Sequence, residues 1–201
     1  MVSGNGHFNS GHVFGRVTEV EELLSSGGKP YLSIKMNVSG AKSGQATAFC
    51  RVWGEKRCQD FMGLFKTKPA ALVLRGMMTS YCDDEKNIFY NNFTCFSAEA
   101  TTAEARAVFI LRGEVDQVTA TTDGGQRVLL RVIREAKDAY QESSELFELW
   151  LQGEKLFDAV AAGQDIEVKG MIRQGEVDDF YGGGDGPVRA YVDKLKILSP
   201  F

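Results

Sequence analysis

The chain has 201 residues, a formal net charge of −4, 25% charged residues and 10% aromatic residues, a composition typical of folded globular proteins. This length allows one large domain or two small ones. The sequence contains no apolar run of membrane-spanning length, and its first twelve residues are mostly Ser, Gly, Asn and His, without a hydrophobic segment. We therefore expect a cytoplasmic protein with neither a membrane anchor nor a signal peptide.

Charge is unevenly distributed between the two halves. Residues 1–100 carry 11 Lys and Arg against 9 Asp and Glu, whereas residues 101–201 carry 12 against 18. Because phosphates bind to cationic surfaces, the first half is the better candidate for contact with nucleic acid.

The cysteines and histidines do not form a metal-binding pattern. The four cysteines include no CxxC pair, and His7 and His12 are the only histidines. A structural zinc site normally needs closely spaced ligand pairs. We therefore expect no metal, no cofactor, and thiols that are reduced and mostly buried.

The first half is predicted to contain five strands and one helix, because segments that alternate apolar and polar side chains are separated by turns and by one amphipathic segment. In the strand at 31–38 every second residue from Leu32 to Val38 is apolar. The predicted elements are strands 12–22, 31–38 and 49–53, helix 55–65, and strands 71–81 and 88–97.

The strand at 49–53 is the most informative of these. Phe49, Arg51 and Trp53 share one face, and the small apolar residues between them share the other. The small face suits a core, so we expect the two rings and the guanidinium to point outward. In the strand at 88–97, Phe93 and Phe96 are assigned to the core.

The second half repeats this order after a charged segment of small residues at 98–107, which we interpret as a linker. Its predicted elements are strands 108–118, 128–134 and 146–152, helix 154–161, and strands 166–174 and 187–198. Glycines recur at corresponding places, 94 to 99 residues apart: Gly15 and Gly113, Gly54 and Gly153, and Gly76 and Gly170. Two copies of a unit of about one hundred residues explain this recurrence.

Each unit has the order strand, strand, strand, helix, strand, strand, which is that of the OB-fold, a five-stranded Greek-key barrel. A β-sandwich is the main alternative, but it would need about seven strands. The sequence thus predicts an all-β chain of two tandem five-stranded OB-fold barrels with one short helix each. The expected segments are a flexible N-terminus at 1–11, a first barrel at 12–97, a linker at 98–107 and a second barrel at 108–201.

Three short motifs in the first unit resemble those of the single-stranded DNA-binding proteins of bacteria and phages. They are Phe14-Gly15-Arg16-Val17, Val52-Trp53-Gly54-Glu55-Lys56 and Leu74-Arg75-Gly76-Met77. The resemblance covers residues 12–97 and, more weakly, residues 108–198. It implies that Trp53 is a base-stacking aromatic residue, with Arg51 or Phe49 beside it.

Aromatic rings stack on any base and cations neutralise any phosphate, so together they bind single strands without reading sequence. The candidate nucleic-acid-binding residues are the rings Tyr31, Phe49, Trp53 and Tyr90, the cations Arg16, Lys35, Arg51, Arg75 and Lys86, and, in the second unit, Arg131 and Trp150.

The second unit departs from this pattern. Glu148, Trp150 and Gln152 stand at the positions of Phe49, Arg51 and Trp53. Because a carboxylate repels phosphate, we expect this unit to bind more weakly or to contact proteins.

The sequence thus favours a non-enzymatic protein that binds single-stranded DNA in replication or recombination, in a bacterial cytosol or a phage-infected cell. No set of nucleophile, base and orienting group can be assembled for catalysis. Replication or recombination proteins and further copies of the chain are open as partners. Two alternatives also stay open: a protein-interaction module in a replication, conjugation or phage assembly, and an RNA-binding protein.

Overall fold

The computed structural model describes residues 6–40, 46–83, 85, 88–121, 124–134, 143–151, 160–174 and 188–198. Its elements are β1 (Phe8–Leu24), β2 (Pro30–Asn37), β3 (Thr47–Trp53), α1 (Glu55–Lys66), β4 (Leu72–Asp83), β5 (Ile88–Ala100), β6 (Arg106–Ala120), β7 (Gln126–Arg134), β8 (Ser143–Leu151), β9 (Asp165–Gln174) and β10 (Val188–Ile197). All ten strands belong to one hydrogen-bonded sheet. No helix among these residues is both long and apolar enough to cross a bilayer.

The first five strands close into a ring. Strand β1 pairs with β2, β2 with β3, β3 with β5, β5 with β4, and β4 returns to β1. The β3–β5 pair is parallel and the other four pairs are antiparallel. This is the strand order of the OB-fold, so the predicted all-β fold class is confirmed.

The second five strands are paired in the same order. Strand β6 pairs with β7, β7 with β8, β8 with β10, β10 with β9, and β9 returns to β6. The parallel β8–β10 contact is short, joining Leu149 to Ala190 and Trp150 to Tyr191. The helix predicted at 154–161 falls mainly on residues 152–159, which lie outside the described part of the chain.

The alternation of side chains predicted from the sequence places the core correctly. In β3, Ala48, Cys50 and Val52 are buried, whereas Phe49 and Arg51 are exposed. In β2 the apolar residues are likewise buried on one face, and the polar residues lie on the other. Phe61 of α1 packs into the same core. The face that carries the candidate aromatic residues is therefore the outer face of the first five-stranded ring.

Two crossings of the first ring bring backbones so close together that they require glycine. A Cβ atom added to Gly15 would lie 2.2 Å from the carbonyl oxygen of Asn37, and one added to Gly76 would lie 1.9 Å from that of Thr94. The corresponding glycines of the second ring are equally crowded. The recurring glycines therefore mark equivalent close approaches of backbone in the two halves.

The two rings are joined edge to edge by β1 and β6, which pair in antiparallel fashion between Phe8–Phe14 and Arg106–Arg112. Strand β1 therefore begins four residues before the predicted start at 12. The segment 98–107, assigned to a linker, is strand at both ends, because β5 continues to Ala100 and β6 begins at Arg106. These ladders are held by backbone hydrogen bonds, which need no apolar face, so the alternation rule missed them.

Candidate nucleic-acid interface

Pairing between β2 and β3 aligns the predicted residues in rows on the outer face of the first ring. Tyr31 lies opposite Trp53, and Lys35 lies opposite Phe49. Arg51 lies between Phe49 and Trp53 on β3, opposite Ser33 of β2 on one side and Thr94 of β5 on the other. One face therefore brings together five of the predicted residues.

Tyr31 and Trp53 stack on one another. Their ring centroids are 4.4 Å apart and their planes differ by 25°. Both side chains are partly buried, and they lie on the outer face rather than in the core. Because each ring packs against the other on one side, the pair forms a flat aromatic surface at the end of the two strands.

Phe49 and Arg51 stand beside this pair. Phe49 is 40% exposed, which is unusual for a phenylalanine in a strand. Arg51 is exposed and has no charged partner among the described residues. An exposed ring next to an unpaired guanidinium offers a base a stacking partner and a phosphate a cation.

Arg16 lies one row further along the same face. It is exposed, and its backbone pairs with Asn37 at the end of β2. Like Arg51, it has no charged partner within the described part of the chain. The two arginines are thus the predicted cations of this face that remain unpaired.

Two other predicted cations are engaged by carboxylates. The Nζ atom of Lys35 lies 2.6 Å from Oε2 of Glu19, and Nη1 of Arg75 lies 2.5 Å from Oε1 of Glu99. The hydrogen bond with Glu19 raises the pKa of Lys35, and the same bond lowers the pKa of the Glu19 carboxyl. The sequence analysis missed these partners, because each lies on the neighbouring strand and the alternation of side chains does not give the register between strands.

A second aromatic pair lies where β4 and β5 form a hairpin. Tyr90 is opposite Tyr81, with ring centroids 6.4 Å apart and planes 27° apart. Tyr90 is 42% exposed and Tyr81 is 64% exposed. Tyr90 was predicted, and Tyr81 was missed although it ends an alternating strand. Lys86, predicted at the tip of this hairpin, lies outside the described residues.

Phe96 is the main error of the core assignment. Phe93 is buried as predicted, but Phe96 is exposed and lies under the guanidinium of Arg57, 5.5 Å from its ring centroid. The two residues are three positions apart, and an odd separation places side chains on opposite faces of a strand. Phe96 therefore adds a further aromatic side chain to the outer face.

The two residues predicted in the second ring are both engaged within the chain. Arg131 forms an ion pair with Asp116. Trp150 is partly buried beneath the guanidinium of Arg189, which lies 4.0 Å from its ring centroid. Its Nε1 atom donates a hydrogen bond to Glu148. The outer face of this ring is therefore occupied by its own side chains.

Comparison with known proteins gives a likeness of fold. No protein-family model and no curated protein matches the sequence. The wild-type single-stranded DNA-binding protein of Thermus aquaticus superposes with a TM-score of 0.61 at 12% identity, over 97% of this chain and 95% of that chain. A deletion mutant of the same protein gives 0.61 at 14% identity, over 97% of both chains. The fold resembles that of a single-stranded DNA-binding protein.

The resemblance to the Thermus protein extends over both rings, because it covers nearly the whole chain. Within the described residues, no group of three or more His, Cys, Asp or Glu side chains is arranged to hold a metal ion. The exposed aromatic and arginine side chains of the first ring's outer face provide groups that can stack on bases and neutralise charge.

Proposed function

We propose that this chain binds single-stranded DNA with little sequence preference, through the outer face of β2 and β3 in the first ring. The observation that carries the proposal is the Tyr31–Trp53 stack beside exposed Phe49 and unpaired Arg51. Its support from comparison is the likeness of fold to the Thermus single-stranded DNA-binding protein.

In the proposed mechanism, bases stack on the rings and phosphates lie against the arginines. Each stacked base should contribute about 1–3 kcal/mol of binding. Tyr90 lies four residues along β5 from Thr94, or about 13 Å at the usual rise of a strand. A single strand that follows the face from Trp53 past Phe49 could therefore reach the Tyr81–Tyr90 pair.

The proposed role is non-catalytic. The protein would cover and protect single strands during replication or recombination in the cytosol. Rings recognise the flat face that all bases share, and none of the proposed contacts reads a base edge, so binding should tolerate any sequence.

The test is a titration with an oligomer of deoxythymidylate while tryptophan fluorescence is recorded. We expect saturable quenching that weakens as salt increases and that disappears in Trp53→Ala. Arg51→Ala should make the dependence of log affinity on log salt shallower by about 0.7, the value for one phosphate contact on a single strand. Trp150→Phe is the matched control and should leave the quenching in place. Failure of the wild-type protein to bind the oligomer at low salt would refute the proposal.

A second candidate function, a protein-interaction module, is favoured by an apolar groove next to Tyr31. The groove has a volume of about 630 Å³ and lies between α1 and the β1–β2 hairpin, where Leu23, Leu24, Pro30 and Met62 line it. Leu24 is 70% exposed. An exposed apolar surface of this kind is typical of protein contacts. No binding of DNA or RNA by the wild-type protein would favour this candidate.

A further inference from the structure

The outer face of β8 in the second ring contains the same kinds of group as the outer face of β3, but they are arranged differently. Glu148 and Trp150 occupy the places of Phe49 and Arg51, and Arg127 of β7 lies opposite Trp150. One aromatic side chain and two guanidinium groups are present, and such groups can stack on the bases and neutralise the phosphates of a single strand. A carboxylate lies among them.

Both oxygens of that carboxylate are engaged. Nη1 of Arg127 lies 3.3 Å from Oε1 of Glu148, and Nε1 of Trp150 donates a 3.2 Å hydrogen bond to Oε2. Glu148 is only 8% exposed, so the ion pair lies largely out of water. Carboxylate and phosphate are both oxyanions that arginine binds by charge-assisted hydrogen bonds.

The face of the tryptophan ring is engaged as well. The guanidinium of Arg189 lies 4.0 Å from the centroid of Trp150. This contact is a cation–π interaction, and it covers one side of the ring. A base could stack on that side only by displacing Arg189, and a phosphate could reach Arg127 only by approaching the charge of Glu148.

We propose that Glu148 is an internal competitor for phosphate, which keeps single strands off the second ring and confines their binding to the first. This inference rests on the proposed function, because it concerns where on the chain a single strand is bound. Replacing the carboxylate releases Arg127 and leaves Trp150 and Arg127 as a site for one base and one phosphate.

The chain allows each ring to be observed separately, because its two tryptophans are Trp53 in the first ring and Trp150 in the second. In Trp53→Phe, which keeps an aromatic ring on the first face, Trp150 is the sole fluorescent indole. We expect a fluorescently labelled deoxythymidylate oligomer to bind this variant, as followed by its anisotropy, without changing the fluorescence of Trp150. Adding Glu148→Gln should make Trp150 quench saturably.

The same substitution should tighten binding of a long oligomer about ten-fold, the scale of one additional stacked base. It should also steepen the salt dependence by about 0.7 for one additional phosphate. Adding Arg127→Ala to Glu148→Gln should abolish the steeper salt dependence, because it removes the cation that the loss of Glu148 releases. A merely structural role for Glu148 would produce neither the gain nor its reversal.

Glu167→Gln is the matched control, since it makes the same change of charge on β9 of the same ring. It should leave the fluorescence of Trp150 unchanged by the oligomer. Circular dichroism checks that each variant is folded, and Glu148→Met, which has similar length and no charge, replaces Glu148→Gln if that variant unfolds.

The two proposals fail in different ways. Binding of the wild-type protein through Trp53, together with a silent Trp150 in Glu148→Gln, would overturn the inference and leave the proposed function standing. Equal quenching of Trp150 with Glu148 present would also overturn it. Quenching of Trp150 after Glu148→Gln in the Trp53→Phe background, without any binding by the wild-type protein, would support Glu148 as a competitor for phosphate. It would overturn the proposed function and with it the confinement of binding to the first ring. If the oligomer quenched neither Trp53 nor Trp150 in any variant, the proposed function and the inference would both be overturned.

Discussion

The candidate site is defined at the residue scale by which cations remain unpaired. Arg51 and Lys35 lie on the same face and both were predicted from the sequence, but Lys35 already contacts Glu19 and Arg51 has no such partner among the described residues. Residue type and strand face can be read from alternation. The partner of a charged side chain cannot, because it depends on the register between neighbouring strands, which alternation alone does not give.

Removal of Glu19 tests whether this pairing limits binding. In Glu19→Gln the ammonium group of Lys35 loses its carboxylate and becomes available to a phosphate. We expect tighter binding of a deoxythymidylate oligomer, with a salt dependence steeper by about 0.7. Because the hydrogen bond with Glu19 raises the pKa of Lys35, that pKa should fall toward its ordinary value in the variant.

Binding isotherms at several salt concentrations measure the first effect, and NMR titration of the lysine side chain measures the second. Glu114→Gln is a suitable control, since it removes an exposed carboxylate from β6 in the second ring. An unchanged affinity and salt slope in Glu19→Gln would show that Lys35 does not contact the DNA backbone.

At the scale of strands and helices, the alternation rule predicted which face of β2 and β3 is buried. The recurring glycines were interpreted only as signs of a repeat, and the structure shows that they lie where backbones approach closely. The assignment of Phe96 to the core was wrong because it departed from this rule, placing Phe93 and Phe96 on one face at an odd separation. The rule itself missed the residues at 8–11, whose strand is held by pairing with β6 rather than by an apolar pattern of its own. Local pattern determines the face of a strand, and pairing with other strands determines its ends.

Gly76→Ala tests the close crossing of β4 and β5. A methyl group at this position would lie 1.9 Å from the carbonyl oxygen of Thr94, so the backbone would have to move. We expect the free energy of unfolding to fall by about 1–3 kcal/mol. Urea denaturation followed by circular dichroism measures the change.

Gly63→Ala provides the contrast for this prediction. Gly63 lies within α1, and a Cβ atom there would meet nothing within 4 Å. Because alanine is the better helix former, this variant should gain about 0.5–1 kcal/mol. If both variants lost stability equally, crowding at Gly76 would not be the cause.

At the scale of the whole molecule, the two rings are joined through β1, which pairs with β2 and β4 in its own ring and with β6 in the other. The side chain of Asn9 holds the start of β1 to β4 of the first ring by accepting a hydrogen bond from the backbone N–H of Met78 and donating one to its carbonyl oxygen. A strand shared in this way should couple the stability of the two rings. The repeat in the sequence predicted two units but gave no sign of this coupling.

Coupling can be measured with the two tryptophans as separate reporters. Trp150→Phe reports unfolding of the first ring through Trp53, and Trp53→Phe reports unfolding of the second through Trp150. In each variant, the urea midpoint measured by tryptophan fluorescence should equal the midpoint measured by circular dichroism, because both five-stranded rings unfold together. A fluorescence midpoint displaced from that of circular dichroism in either variant would show that the rings unfold independently.

The pH dependence of stability should contain two opposing contributions. Burial raises the pKa of the Glu148 carboxyl above its ordinary value, against the opposite effects of the charge of Arg127, the hydrogen bond from Trp150 and the charge of Arg189. A carboxyl whose pKa is higher in the folded state binds its proton first in that state, so stability rises as the pH falls through the folded pKa toward the unfolded pKa. Glu99 is the reverse case, because its hydrogen bond with Arg75 lowers its pKa, and its contribution is lost as the pH falls through that lowered value.

The difference in free energy of unfolding between the wild-type protein and Glu148→Gln or Glu99→Gln isolates these contributions, because the effects of the other titrating groups cancel. Urea denaturation between about pH 7 and pH 4, a range that ends near the ordinary pKa of glutamate, gives the free energy of unfolding at each pH. The wild-type protein should gain stability relative to Glu148→Gln as the pH falls, and a smaller opposite trend should appear relative to Glu99→Gln as the pH approaches the lower limit. A wild-type stability that fell relative to Glu148→Gln over this range would mean that Arg127 and Trp150 outweigh burial. Glu148 would then favour its charged form in the folded protein and hold Arg127 more firmly than its burial implies.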